Sequence, residues 1–156
     1  MPEAGACMHR FPTLAIFAAA LASLLAAGPA LAHPHVWVTV RSELLYSEDG
    51  SIAAVRHEWT FDDMFSVFAM QGLKKDDKGN VAADELASLA EVNVTSLKEF
   101  DFFSQAKING RKSQFDPPKD YRLVQEKDAL TLHFTLPLKS PQKMQKLSLD
   151  IYDPAY

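Results

Sequence analysis

Two histidines separated by one proline, His33-Pro34-His35, are the residues of this chain with the most chemistry to offer. They follow Ala30-Leu31-Ala32, small residues in the A-x-A pattern that a signal peptidase accepts. Cleavage after Ala32 would make His33 the first residue of the mature protein. Its free α-amine and its ring Nδ1 would then offer a metal two donors from one residue, with His35 as a third nitrogen. An α-amine titrates near pH ~8, so a metal can displace its proton at neutral pH. Nitrogen-rich donor sets suit Ni(II), Co(II), Zn(II) or Cu(II) rather than Mg or Ca. Pro34 has no backbone N–H, which closes the route of chelation through a deprotonated second amide. Any site must therefore be completed by side chains.

The segment before the cut reads as targeting, not as fold. His9 and Arg10 precede an apolar run over 14–27, and Gly28-Pro29 breaks it. The run falls short of the ~20 residues of an ordinary transmembrane helix, so no stable membrane insertion is expected once the signal is removed. Met8 as the start would leave a compact signal and discard Glu3. Cys7, the single cysteine, lies before the apolar run and is no lipoprotein cysteine. Residues 1–32 are thus expected to be a signal peptide and 33–156 one small exported domain without disulfide or thiolate. The net charge of −4, with no cluster of Lys or Arg, argues against nucleic acid.

Alternation and turn chemistry predict what positions these groups. Strands are expected over 36–46 and 52–61, joined at Asp49-Gly50 as a two-residue loop. That register sets Val38 against Phe61, Val40 against Trp59 and Ser42 against His57. It puts Val36, Val38, Val40, Leu44, Val55, Trp59 and Phe61 on one face, which a one-residue slip would scatter. Asp62 and Asp63 can then cap a helix running through Leu73. The register brings them nearest to His35, as metal ligands or as acceptors for an imidazole N–H. His57 shares the apolar face, about 23 Å along the strand from His35 at ~3.3 Å per residue, and reads as a satisfied core histidine. His133 alternates with Leu132 and Phe134 and points to the solvent or opposite face.

A second helix is expected over 84–103, its buried side marked by Leu86, Leu89, Ala90, Val94, Leu97 and Phe100. Lys107-Ile108-Asn109-Gly110-Arg111 carries a hairpin signal, and 121–126, 129–136 and 147–152 are further strands. The fold class is α+β, a largely antiparallel sheet with a helical insert after the first hairpin. Residues 74–85 have the length of an EF-hand loop, with Asp76 third, Gly79 sixth and Glu85 twelfth. Lys74 and Lys78 occupy the first and fifth positions, where two ammonium groups would repel Ca2+. There is no G-x-S-x-G, H-E-x-x-H or P-loop, and no enzymatic activity is expected.

Three segments carry a family resemblance: Ala32-His33-Pro34-His35-Val36-Trp37-Val38, then Trp59-Thr60-Phe61-Asp62-Asp63-Met64-Phe65-Ser66, then Gly79 with Asp84-Glu85-Leu86. Together they resemble domain-of-unknown-function family 1007, exported bacterial proteins described as the periplasmic component of an uncharacterised ABC-type transport system. The resemblance implies a periplasmic accessory role linked with nickel, cobalt or zinc transport, and a membrane transporter or other envelope protein as partner. Family members often have a more acidic loop where Lys74 and Lys78 stand here. Their domains usually continue beyond the Asp-Pro-x-Tyr segment, so C-terminal incompleteness is expected. The leading expectation is a protein that binds or delivers a divalent transition metal through His33 and His35, with Asp62 or Asp63 closing the set. The alternative is a non-metal scaffold of a transporter or envelope complex.

Overall fold

The computed structural model describes residues 36–154. The expected signal segment and cleavage site, His33-Pro34-His35 and the last two residues lie outside the described residues.

Strands β1 (Val38–Tyr46) and β2 (Ile52–Phe61) form the expected hairpin, with Val38 on Phe61, Val40 on Trp59 and Ser42 on His57. The two-residue loop is corrected to a wider turn. Ser47 N–H donates to the Ser51 carbonyl at 2.8 Å, and a bulge between Leu45 and Tyr46 absorbs the extra residue. The Asp49 carboxylate holds that turn, accepting from the Ser51 amide and hydroxyl, both at 2.9 Å. These bonds, the amide first, keep the Asp49 carboxyl below its usual range. Gly50 takes φ +76°, where a side chain would be strained.

The other strands are β3 (Ser104–Ile108), β4 (Arg111–Ser113), β5 (Lys119–Glu126), β6 (Ala129–Gln142) and β7 (Leu147–Ile151). They make two antiparallel sheets, ordered β1-β2-β6-β5 and β4-β3-β7. Strand β6 runs six residues past the expected end at Leu136. Its later half is paired from outside the hairpin: Asp116 N–H donates to the Pro137 carbonyl and Lys139 N–H to the Gln114 carbonyl, each at 2.9 Å. The α+β class and the antiparallel pairing are as the sequence predicts.

Helix α1 (Asp63–Ala69) is shorter than expected; it stops four residues before Leu73, where the chain turns through Gly72 at φ +78°. Helix α2 (Ala83–Leu97) packs on β5 through Ala90 and Val94 and also ends early. A 3-10 stretch, Lys98–Phe103, follows it, and Asp101, Phe102 and Phe103 take φ 50°, 54° and 47°. Left-handed backbone costs a non-glycine residue about 1–2 kcal/mol. The turn is held nonetheless, because it buries Phe102 beside Phe134. The Ser104 hydroxyl also donates to the Phe102 carbonyl at 2.9 Å. Phe100, expected inside, is left exposed, and Phe102 takes its place in the core.

The main core gathers Trp59, Phe61, Leu123, Leu132, Phe134 and Leu136 with the helix residues. A smaller cluster, Ile52, Ile108 and Leu138, joins the two sheets.

Candidate functional site

Asp62 stands where the described chain enters β1. Its Oδ1 accepts from the Phe65 amide at 2.9 Å, which makes it the N-cap of α1. Its Oδ2 accepts from the Trp37 amide at 2.9 Å, and its own N–H donates to the Trp37 carbonyl at 2.9 Å. The Phe65 amide, and after it the Trp37 amide, hold the Asp62 carboxyl below its usual range. The group is therefore ionised at neutral pH and keeps a lone pair on each oxygen. Asp63 follows it, exposed in the first helical turn. His33 and His35, the histidine part of the expected donor set, lie outside the described residues. Among the described residues no group of three or more His, Cys, Asp or Glu is placed to hold a metal ion.

Ser66 shows why this short helix is fixed to the sheet. It is fully buried, donates from Oγ to the Phe61 carbonyl at 3.4 Å and accepts from the Leu130 amide at 2.9 Å. Trp59, Phe61, Asp62 and Ser66 thus explain the Trp59–Ser66 motif structurally: two core rings, a cap that also ties down Trp37, and a buried hydroxyl that docks α1 on β6. Nothing in the sequence pattern marks a serine inside a helix for that task.

His57 is fully buried, stacked on Phe134 with ring centroids 4.9 Å apart. Ser42 Oγ lies 3.0 Å from Nδ1, and Ser104 Oγ lies 3.4 Å from Nε2. Since Ser104 gives its proton to the Phe102 carbonyl, the Nε2 contact requires an N–H on the ring. Nδ1 is then the acceptor from Ser42. The nitrogen facing Ser104 already carries a proton, so it cannot act as a base toward that hydroxyl. Burial pushes the ring pKa down to about 4. His57 is the satisfied core histidine that its place on the apolar face predicts.

His133 lies on the opposite face of the four-stranded sheet, half-buried, beside Thr39, Arg41, Glu58 and Thr131 in a groove of about 580 Å³. Desolvation and then the Arg122 guanidinium lower its pKa, partly countered by Glu58 and Glu126. In the 74–85 loop, Asp76 Oδ1 accepts from the amides of Lys78 and Asn80 at 2.8 and 2.9 Å, and Gly79 takes φ +83°. Lys74 Nζ sits 3.7 Å from Glu85 Oε1. An ammonium at the first position thus meets the carboxylate at the twelfth.

The family of proteins described as "Protein of unknown function (DUF1007)" matches residues 18–156. The chain belongs to the DUF1007 family. An uncharacterized protein of Haemophilus influenzae is 29% identical over 131 residues, covering 81% of this chain and 61% of the relative. The chain therefore spans less than two thirds of that relative's length. No solved structure matches it. Within this DUF1007 chain, no helix among the described residues is long and apolar enough to cross a membrane.

One further feature borders the start of β1. Val36, Val38 and Val40 line an apolar groove of about 430 Å³ with Trp59, Phe103 and Ile151. The valine face predicted from alternation is therefore only partly covered, and Val36 and Val40 remain exposed. Trp37, Met64 and Phe68 are exposed more fully, at 77%, 83% and 65%.

Proposed function

We propose that this DUF1007 chain is a periplasmic accessory protein of a transport system that binds or delivers a divalent transition metal ion, Ni, Co, Zn or Cu. His33 would chelate through its amine and ring, His35 would add a nitrogen, and Asp62 or Asp63 would close or orient the set. The observation that carries the reading is the double use of Asp62. One carboxylate caps α1 and ties down the amide of Trp37, the second residue after His35 in sequence. An anionic, backbone-fixed carboxylate and an exposed neighbour, Asp63, suit a borderline cation that also takes imidazole.

The test is calorimetric titration of the processed protein with each of the four ions, repeated for His33→Ala and His35→Ala. A loss of affinity of about tenfold or more in each variant is expected, in line with removal of one donor. Unchanged affinity in both variants would rule out the N-terminal site. The donors must lose protons to bind, so affinity should fall steadily as pH drops from about 8 to 6, through the amine and imidazole ranges.

A second reading is favoured by the apolar surface: a non-metal scaffold that engages a transporter or envelope protein through Trp37, Met64 and Phe68. It predicts that complex formation survives chelation and the His33/His35 double substitution, whereas a metal-bridged complex would dissociate.

A further inference from the structure

A cavity of about 470 Å³ opens between the left-handed turn at Asp101 and Phe102 and the segment that leads from β4 to β5. Asp101 and Phe102, two of the three residues of that turn with positive φ, form one wall. The opposite wall carries an unmet polar group. Ser113 Oγ is shielded from solvent and has no hydrogen-bond partner among the described residues. Buried hydroxyls are nearly always bonded, so this one is left with an unused donor.

The charges around Ser113 say what that partner is. A side arm of about 200 Å³ shares Lys112, Ser113, Gln114 and Lys139 with the cavity and adds Ser140 and Gln142. Its lining has two ammonium groups, two hydroxyls and two carboxamides, and no carboxylate. Neither lysine is within ion-pair distance of an acid among the described residues. Two cations and a free hydroxyl donor make a receptor for a carboxylate. The main cavity, in contrast, is lined by Asp101 and Asp116 with the rings of Phe102 and Phe115. Those acids repel a ligand that is anionic throughout and accept one with a neutral or cationic body. The volume falls in the range of small-molecule sites.

We propose that this cavity binds a small amino-acid-like carboxylate. Its carboxylate lies on Lys112, Lys139 and the Ser113 hydroxyl, and its ammonium faces Asp101 and Asp116. The site shares no residue with the proposed metal site.

Amide chemical-shift titration of the full chain with L-alanine, with L-alanine methyl ester as the control lacking the anion, tests this. Saturable shifts are expected at the amides of 101–104 and 112–116 with the acid and not with the ester. The exposed pair Lys112→Gln/Lys139→Gln should weaken binding about tenfold or more. Ser113→Ala should weaken it about threefold while leaving the melting temperature equal or higher, since it removes an unbonded hydroxyl. No saturable shift at these amides up to about ten millimolar ligand, a dissociation constant weaker than ordinary small-metabolite sites, would overturn the proposal. So would equal binding of the ester, or binding unchanged in the lysine double variant.

Discussion

At His57 a single ring links the interior of the protein to pH. Its pKa of about 4 in the fold lies below the ~6.5 of an unfolded histidine. The unfolded chain therefore takes up the proton first, and stability present above pH ~6.5 is lost as pH falls toward 4, by about 3 kcal/mol in all. His57→Phe keeps an aromatic plane against Phe134 and removes the proton. Urea unfolding at pH 7.5 and 4.5 should show a smaller acid loss in the variant than in the parent; parallel losses would refute the assignment. Ser66→Ala acts through a different cost. It leaves the Leu130 amide buried without an acceptor and should lower stability by about 1–3 kcal/mol at neutral pH. An unchanged urea midpoint would show that Ser66 does not anchor α1.

At the scale of elements, Asp62 couples the entry of β1 to the start of α1. Asp62→Asn leaves one oxygen where the carboxylate offers two, so the cap and the Trp37 bond compete. Hydrogen exchange at the Trp37 amide should accelerate while the β1–β2 ladder stays protected; unchanged exchange would show that the bond contributes nothing. This coupling was half legible in the sequence. Alternation along 36–46 and 52–61 fixed which residues pair, because a slip would have turned Trp59 and Val40 to opposite faces. The cap was legible too, from acids placed ahead of a helical period. The Trp37 bond was not, since it joins residues 25 apart through a side chain that composition cannot aim. The ends of the helices were misplaced for a related reason. Phe100 continues the period of α2, but the chain gains more by twisting left-handed and burying Phe102. Periodicity reports one face of a helix and cannot report where tertiary packing stops it. Ser113 and Lys139 gave no signal either, because only the crossing of the 114–116 segment onto β6 brings them to one cavity.

Across the whole molecule, two sheets leave an apolar groove beside the entry of β1 and a mixed-charge cavity beside the left-handed turn. The proposed metal chemistry rests on the residues that precede β1 in sequence and on Asp62 and Asp63. It would depend on a covalent event: without the proposed cleavage after Ala32, His33 has no free amine and one donor fewer. Export and processing would thus create the ligand set as well as deliver the protein to its compartment. The most direct measurement compares the metal affinity of the protein beginning at His33 with that of the same protein carrying one extra alanine ahead of it. The extra residue moves the amine away from the imidazole and leaves every side chain in place. A drop in affinity of about tenfold or more is the predicted result. Equal affinity would contradict the N-terminal site.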